Sequence, residues 1–112
     1  MPARKLRPVH PGDILKHDFL EPLGLSAYRV AKDIGVSLPT VSDIVRRRRT
    51  VTAEMALRFA RYFGTSAQLW QNLQAQYDLE VAEAKLGKAL ARTIRPVAGP
   101  EAGEPGRRRA AA

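Results

Sequence analysis

The chain has no cysteine. That absence excludes disulfides, cysteine-ligated zinc and thiol catalysis, and it fits a reducing compartment, so a cytoplasmic protein is expected. Long apolar runs are missing as well. No stretch of about eighteen residues is apolar enough to span a bilayer. The basic opening, MPARKLRPVHPG, lacks the hydrophobic stretch that a secretory signal needs behind it. Alternating apolar–polar runs are few, which argues against strands. No nucleophile–base pair, paired buried carboxylates or glycine-rich phosphate loop stands out, so catalysis and a bound cofactor are not expected. The nearest thing to a metal set is His10, Asp13 and His17 on one helix face. Two histidines and one carboxylate in an exposed setting hold zinc poorly, and His10 sits where a helix cap belongs, so no metal is expected.

Negative charge is scarce too. Against 11 Asp and Glu stand 19 Lys and Arg, a net charge of +8 over 112 residues. A basic domain of this size favours a polyanionic partner. The excess gathers in two places: an N-terminal arm, residues 1–9, with Arg4, Lys5 and Arg7, and the run Arg46, Arg47, Arg48, Arg49. The length suits one small domain with short tails.

Helix signals recur along the chain. Pro11 suits a first helical turn, with Ile14, Leu15 and Phe19 facing inward and Pro22 and Gly24 ending the helix. Ser26 caps a second helix carrying Val30, Ala31 and Ile34, and Gly35 supplies a left-handed stop. Ser37 caps a third, with Pro39 tolerated in its first turn and Val41, Ile44 and Val45 turned inward. Thr52 caps a fourth, built on Met55, Ala56, Phe59, Ala60 and Phe63 and closed by Gly64. Ser66 caps a long fifth helix whose stripe is Trp70, Leu73, Tyr77, Val81 and Ala84, running on through Leu90 toward Ile94. From Pro96 the chain is Pro, Gly, Ala, Glu and Arg, too poor in apolar surface to offset ordering entropy, so 96–112 reads as a disordered tail.

Two short helices joined by a tight glycine turn pack at a steep angle, with a small residue where they cross. Ala31, Gly35, Val41 and Ile44 supply those features at the spacing of a helix-turn-helix over residues 27–46. An ordinary helical hairpin in a bundle has the same four features, but it leaves the basic surface unexplained.

The pieces HPGDIL, LEPLGLS, ALRFARYFGTS and LWQNLQAQYDLE, within residues 10–82, resemble the HigA family of antitoxins, part of the wider Cro/C1-type group. The resemblance implies an all-α, five-helix, lambda repressor-like fold, with a helix-turn-helix DNA-binding domain over residues 10–66 and the long C-terminal helix at 67–95; the apolar edge of that last helix is where dimerisation is expected. It further implies an antitoxin that neutralises a RelE-like, mRNA-cleaving toxin and represses its own operon as a homodimer on a palindromic operator. The sequence departs from the family pattern in three places. The family often has a long polar residue where Ala27 stands, a stronger polar reader near residues 38–40, and a glycine where Arg47 stands.

On the third helix, Ser37, Leu38, Thr40, Ser42 and Asp43 are the candidates for base edges, with Leu38 suited to a thymine methyl and Asp43 to cytosine N4. Ser37 as a cap and Asp43 as a solvated charge are the competing assignments. Arg46, Arg47, Arg48 and Arg49 are the phosphate candidates. Leu69, Trp70, Leu73 and Tyr77 are the candidate dimer contacts, aromatics being common at such interfaces and in cores. An orphan regulator without a toxin, and a protein-interaction module, are the alternative functions.

Overall fold

A computed structural model describes residues 7–97. Arg4 and Lys5 of the basic arm lie outside the described residues, as does the expected tail beyond Val97. The described chain is all-α, with five helices and no strand among those residues.

Helix α1 is composite: an α-helical turn Pro11–Ile14, a π-helical stretch Leu15–Leu20 and a closing α-helical turn Glu21–Leu23. Its start is a reciprocal cap. His10 Nδ1 accepts from the Gly12 N–H at 2.8 Å, and the Asp13 carboxylate accepts from the His10 N–H at 3.0 Å. The helix was expected to end at Pro22 and Gly24; it carries Pro22 and ends on Gly24, at φ +67°. Proline has no N–H, and in an α-helical register its ring would press on the Asp18 carbonyl. The widened turn just before it, where the Glu21 N–H reaches back to the Lys16 carbonyl, suits that constraint.

Helices α2 (Ala27–Ile34) and α3 (Leu38–Val45) follow, each begun by a serine whose Oγ accepts an N–H one turn on: Ser26 from Arg29 at 3.0 Å, Ser37 from Thr40 at 3.3 Å. Between them Gly35 sits at φ +78° and donates to the Ala31 carbonyl at 2.9 Å, which turns the chain within two residues. Helix α4 (Ala53–Phe63) starts at Thr52 and stops at Gly64. Helix α5 (Ala67–Thr93) starts at Ser66, whose Oγ accepts from the Leu69 N–H at 3.0 Å.

The chain forms two compact units divided after Val81. In the first, Leu15, Val30, Val41, Ile44, Phe59 and Trp70 are fully buried. The Phe59 and Trp70 rings lie 5.0 Å apart, and the indole N–H donates to Thr65 Oγ1 at 2.8 Å, so this large side chain is buried without an orphaned donor. Gln74 is buried as well, and its Oε1 accepts from the Val51 N–H at 2.8 Å, fixing the segment before α4 onto α5. Gly12 sets the spacing between α1 and α3: a Cβ there would stand 1.8 Å from the Ile44 carbonyl oxygen. In the second unit the described residues are the helical stretch 82–93 and the short segment after it, where Leu86, Leu90 and Ile94 are exposed.

Candidate nucleic-acid interface

Helix α3 lies with Val41 and Ile44 in the core, which leaves its opening turn outermost. Ser37 and Leu38 are exposed, the latter by 44%, while Thr40 is half-buried. The Ser37 hydroxyl accepts the Thr40 N–H and also bonds the Thr40 hydroxyl at 2.8 Å. Ser37 is therefore a working cap, and its remaining hydrogen-bonding capacity faces outward together with that of Thr40. Ser42 and Asp43 are half-buried along the same helix. The Asp43 carboxylate lies 3.6 Å from the Arg49 guanidinium, so its charge is partly matched within the surface.

Beside this face, Val36, Thr40, Arg49, Thr50, Thr52, Glu54 and Met55 line a cleft of about 390 Å³. Two threonines of the segment before α4 thus join the α3 surface. In sequence Thr52 reads only as a cap and Thr50 carries no signal of its own; their placement next to Thr40 depends on tertiary packing.

The four arginines after α3 separate into two kinds. Arg46, Arg48 and Arg49 are exposed. Arg47 is turned inward, with 17% of its side chain exposed, and its backbone adopts φ +67°. Its guanidinium pairs with Asp13, donates to the Pro8 carbonyl at 3.0 Å and lies 5.6 Å above the Tyr77 ring. That ring meets His10 edge-on at 4.7 Å. Burial, and next the Arg47 charge, push the His10 pKa below the usual histidine value, which keeps Nδ1 free to accept the Gly12 N–H. The sequence piece HPGDIL is thereby explained. His10 caps, Pro11 begins the helix, Gly12 admits the Ile44 carbonyl, and Asp13 both completes the cap and holds Arg47.

On the far side of the turn, Arg58 donates to the Ile34 carbonyl at the end of α2 and pairs with Glu54 at 2.8 Å. The Tyr62 hydroxyl and then Arg29 bond Asp33 and hold its carboxyl below the ordinary carboxylate range. These links fasten α2 to α4 and so fix the platform from which α3 projects. Of the candidate metal set, His10 is the cap and His17 faces Glu21 at 3.2 Å on the exposed side of α1. Among the dimer candidates, Trp70 is wholly buried in the core, whereas Leu69, Leu73 and Tyr77 are half-buried. No helix among the described residues is long and apolar enough to cross a membrane.

Five helices, a glycine-closed turn between α2 and α3, and a basic edge after α3 define a helix-turn-helix protein of the Cro/C1 type. Residues 17–70 match the family model described as Helix-turn-helix. The chain belongs to the HigA family of helix-turn-helix antitoxins. Virulence-associated protein I of Dichelobacter nodosus is 51% identical over 75 residues, covering 67% of this chain and 69% of that protein. Antitoxin HigA-1 of Vibrio cholerae is 37% identical over 79 residues, covering 70% of this chain and 74% of that protein. Among solved structures, the Pseudomonas aeruginosa antitoxin HigA with the higBA promoter superposes with a TM-score of 0.80 at 48% identity, covering 81% of this chain and 99% of that one.

Proposed function

We propose that the chain is the antitoxin of a type II toxin–antitoxin module. It binds a palindromic operator as a homodimer, represses its own operon, and neutralises a RelE-like toxin in the cytoplasm. The observation that carries the DNA-binding part is the α3 face: an exposed opening turn flanked by three outward arginines, Arg46, Arg48 and Arg49. In this reading α3 enters the major groove, with Ser37, Leu38, Thr40, Ser42 and Asp43 toward base edges and the three arginines on phosphates. Two copies meet through α5, with Leu69, Leu73 and Tyr77 available at its first half.

The test is a gel shift on DNA upstream of the gene, over a range of salt. Binding weakens steeply with salt, because each neutralised phosphate releases counterions. Salt-insensitive binding, or none, overturns the repressor reading. R46A/R48A weakens operator and random DNA alike, whereas T40A and S42A weaken the operator more. Identical behaviour of all these variants overturns the assignment of the reading face. The toxin part is tested by co-expression with the neighbouring reading frame; a product that neither co-purifies nor loses toxicity overturns it.

A further inference from the structure

The four consecutive arginines look alike in sequence, yet one of them is built into the fold. Arg47 spans three segments distant along the chain: Pro8 in the N-terminal arm, Asp13 in the first turn of α1 and Tyr77 in α5. It does so from a left-handed backbone position immediately after the α3 cap, Arg46. A non-glycine residue at positive φ costs about 1 kcal/mol, so the surrounding contacts must hold it there. An arginine whose donors are committed to a carboxylate and a carbonyl is poorly placed to give them to DNA. Its Nη2–H instead fixes the Pro8 carbonyl at 3.0 Å, which sets the root of the arm against the end of α3. Arg7, one residue before that anchor, is exposed and makes no hydrogen bond or ion pair with any described residue. Arg46 and Arg48, on either side of Arg47 in sequence, are exposed as well.

We infer that Arg7 is a further phosphate contact of the DNA interface and that Arg47 is its positioning residue, acting through the Pro8 carbonyl. The inference rests on the DNA-binding reading above and adds a second element to it, an arm anchored beside the recognition helix. A phosphate contact carries no sequence information, so the arm strengthens binding to operator and to unrelated duplexes alike.

The experiment is a double-mutant cycle of R7A and R47K on the full chain, with operator affinity measured at several salt concentrations. Lysine keeps the positive charge at 47 but lacks the planar fork that serves Asp13 and Pro8 together. R7A lies outside every helix and leaves thermal unfolding unchanged, so it decides the arm contact alone. It is expected to weaken operator and random DNA about three- to tenfold at about 0.1 M salt and to lower the salt slope by about two, one contact from each protomer of the dimer. R47K, measured at a temperature where circular dichroism shows it folded, is expected to weaken binding in the parent background but to add little in the R7A background. Unchanged affinity and slope for R7A overturns the inference. So does R47K weakening binding equally in both backgrounds, which shows that its effect does not pass through Arg7, and so does R47K weakening binding in neither, which leaves Arg47 without a positioning role. Absence of any DNA binding by the parent chain overturns the DNA-binding reading itself, and is thereby distinguished from failure of the arm alone.

Discussion

Two glycines show how differently the same residue type can matter. At Gly35 the backbone is left-handed, at φ +78°, while the space around a Cβ is open apart from Arg58 Nη1 at 3.5 Å. Gly35→Ala is expected to cost about 1 kcal/mol, and Gly35→Asn less, read by denaturant unfolding. At Gly12 the φ is ordinary, but the Ile44 carbonyl oxygen would lie 1.8 Å from a new Cβ. Neither backbone can yield without separating α1 from α3. Gly12→Ala is therefore expected to cost about 3 kcal/mol or more, a fall in Tm of roughly ten degrees or beyond for a domain this small. The left-handed glycine was legible from its place between two helical patterns. The crowded one was not, because its partner lies far along the chain. The same holds for Arg47, indistinguishable in sequence from its three neighbours until packing against Asp13 and Tyr77 selects it. The family habit of glycine at that position is matched by the left-handed backbone found there.

His10 adds a dependence on pH. In the folded chain its ring is neutral, since Nδ1 must accept the Gly12 N–H, and burial and Arg47 depress its pKa. The denatured chain takes up a proton at about pH 6.5, where the folded chain does not yet. Stability therefore falls as pH drops below about 6.5, and keeps falling until the folded pKa is reached. Thermal unfolding at pH 7.5 and pH 5.5 is expected to show a smaller loss in H10N, which keeps a side-chain acceptor for the cap but cannot titrate. Equal losses in both proteins would refute this role.

At the scale of elements, most boundaries were readable because caps are local chemistry. Ser26, Ser37, Thr52 and Ser66 begin helices by accepting an N–H within the first turn, and Gly24, Gly35 and Gly64 end them in left-handed conformations. The π-helical stretch in α1 was not readable. Pro22 announces a disturbance, but whether the helix stops or widens depends on how Leu15 and Leu20 seat in the core, and both are buried. Helix α3 is held chiefly by Val41 and Ile44, each fully buried. Ile44→Asp places an uncompensated charge in that core and is expected to abolish cooperative unfolding at 25 °C, seen by circular dichroism. Leu38→Ala, at an exposed position, is expected to leave stability within about 0.5 kcal/mol.

For the molecule as a whole, the net charge of +8 signalled a polyanionic partner but not where that partner sits. The three-dimensional arrangement divides the charge: Arg58 and Arg47 serve the fold, while Arg46, Arg48 and Arg49 remain outward. Homodimerisation is expected at high micromolar concentration, measured by size exclusion with light scattering, and a strict monomer there would refute the α5 assignment. The aromatic stripe was ambiguous in sequence because cores and interfaces favour the same side chains. Packing against Phe59 places Trp70 in the first of these.

The hold of Arg47 on Pro8 also bears on how the protein is handled. Any segment fused ahead of Arg7 emerges within a few residues of the end of α3, since the Pro8 carbonyl is pinned 3.0 Å from the Arg47 guanidinium. An affinity handle at that end would crowd the surface whose binding is being measured.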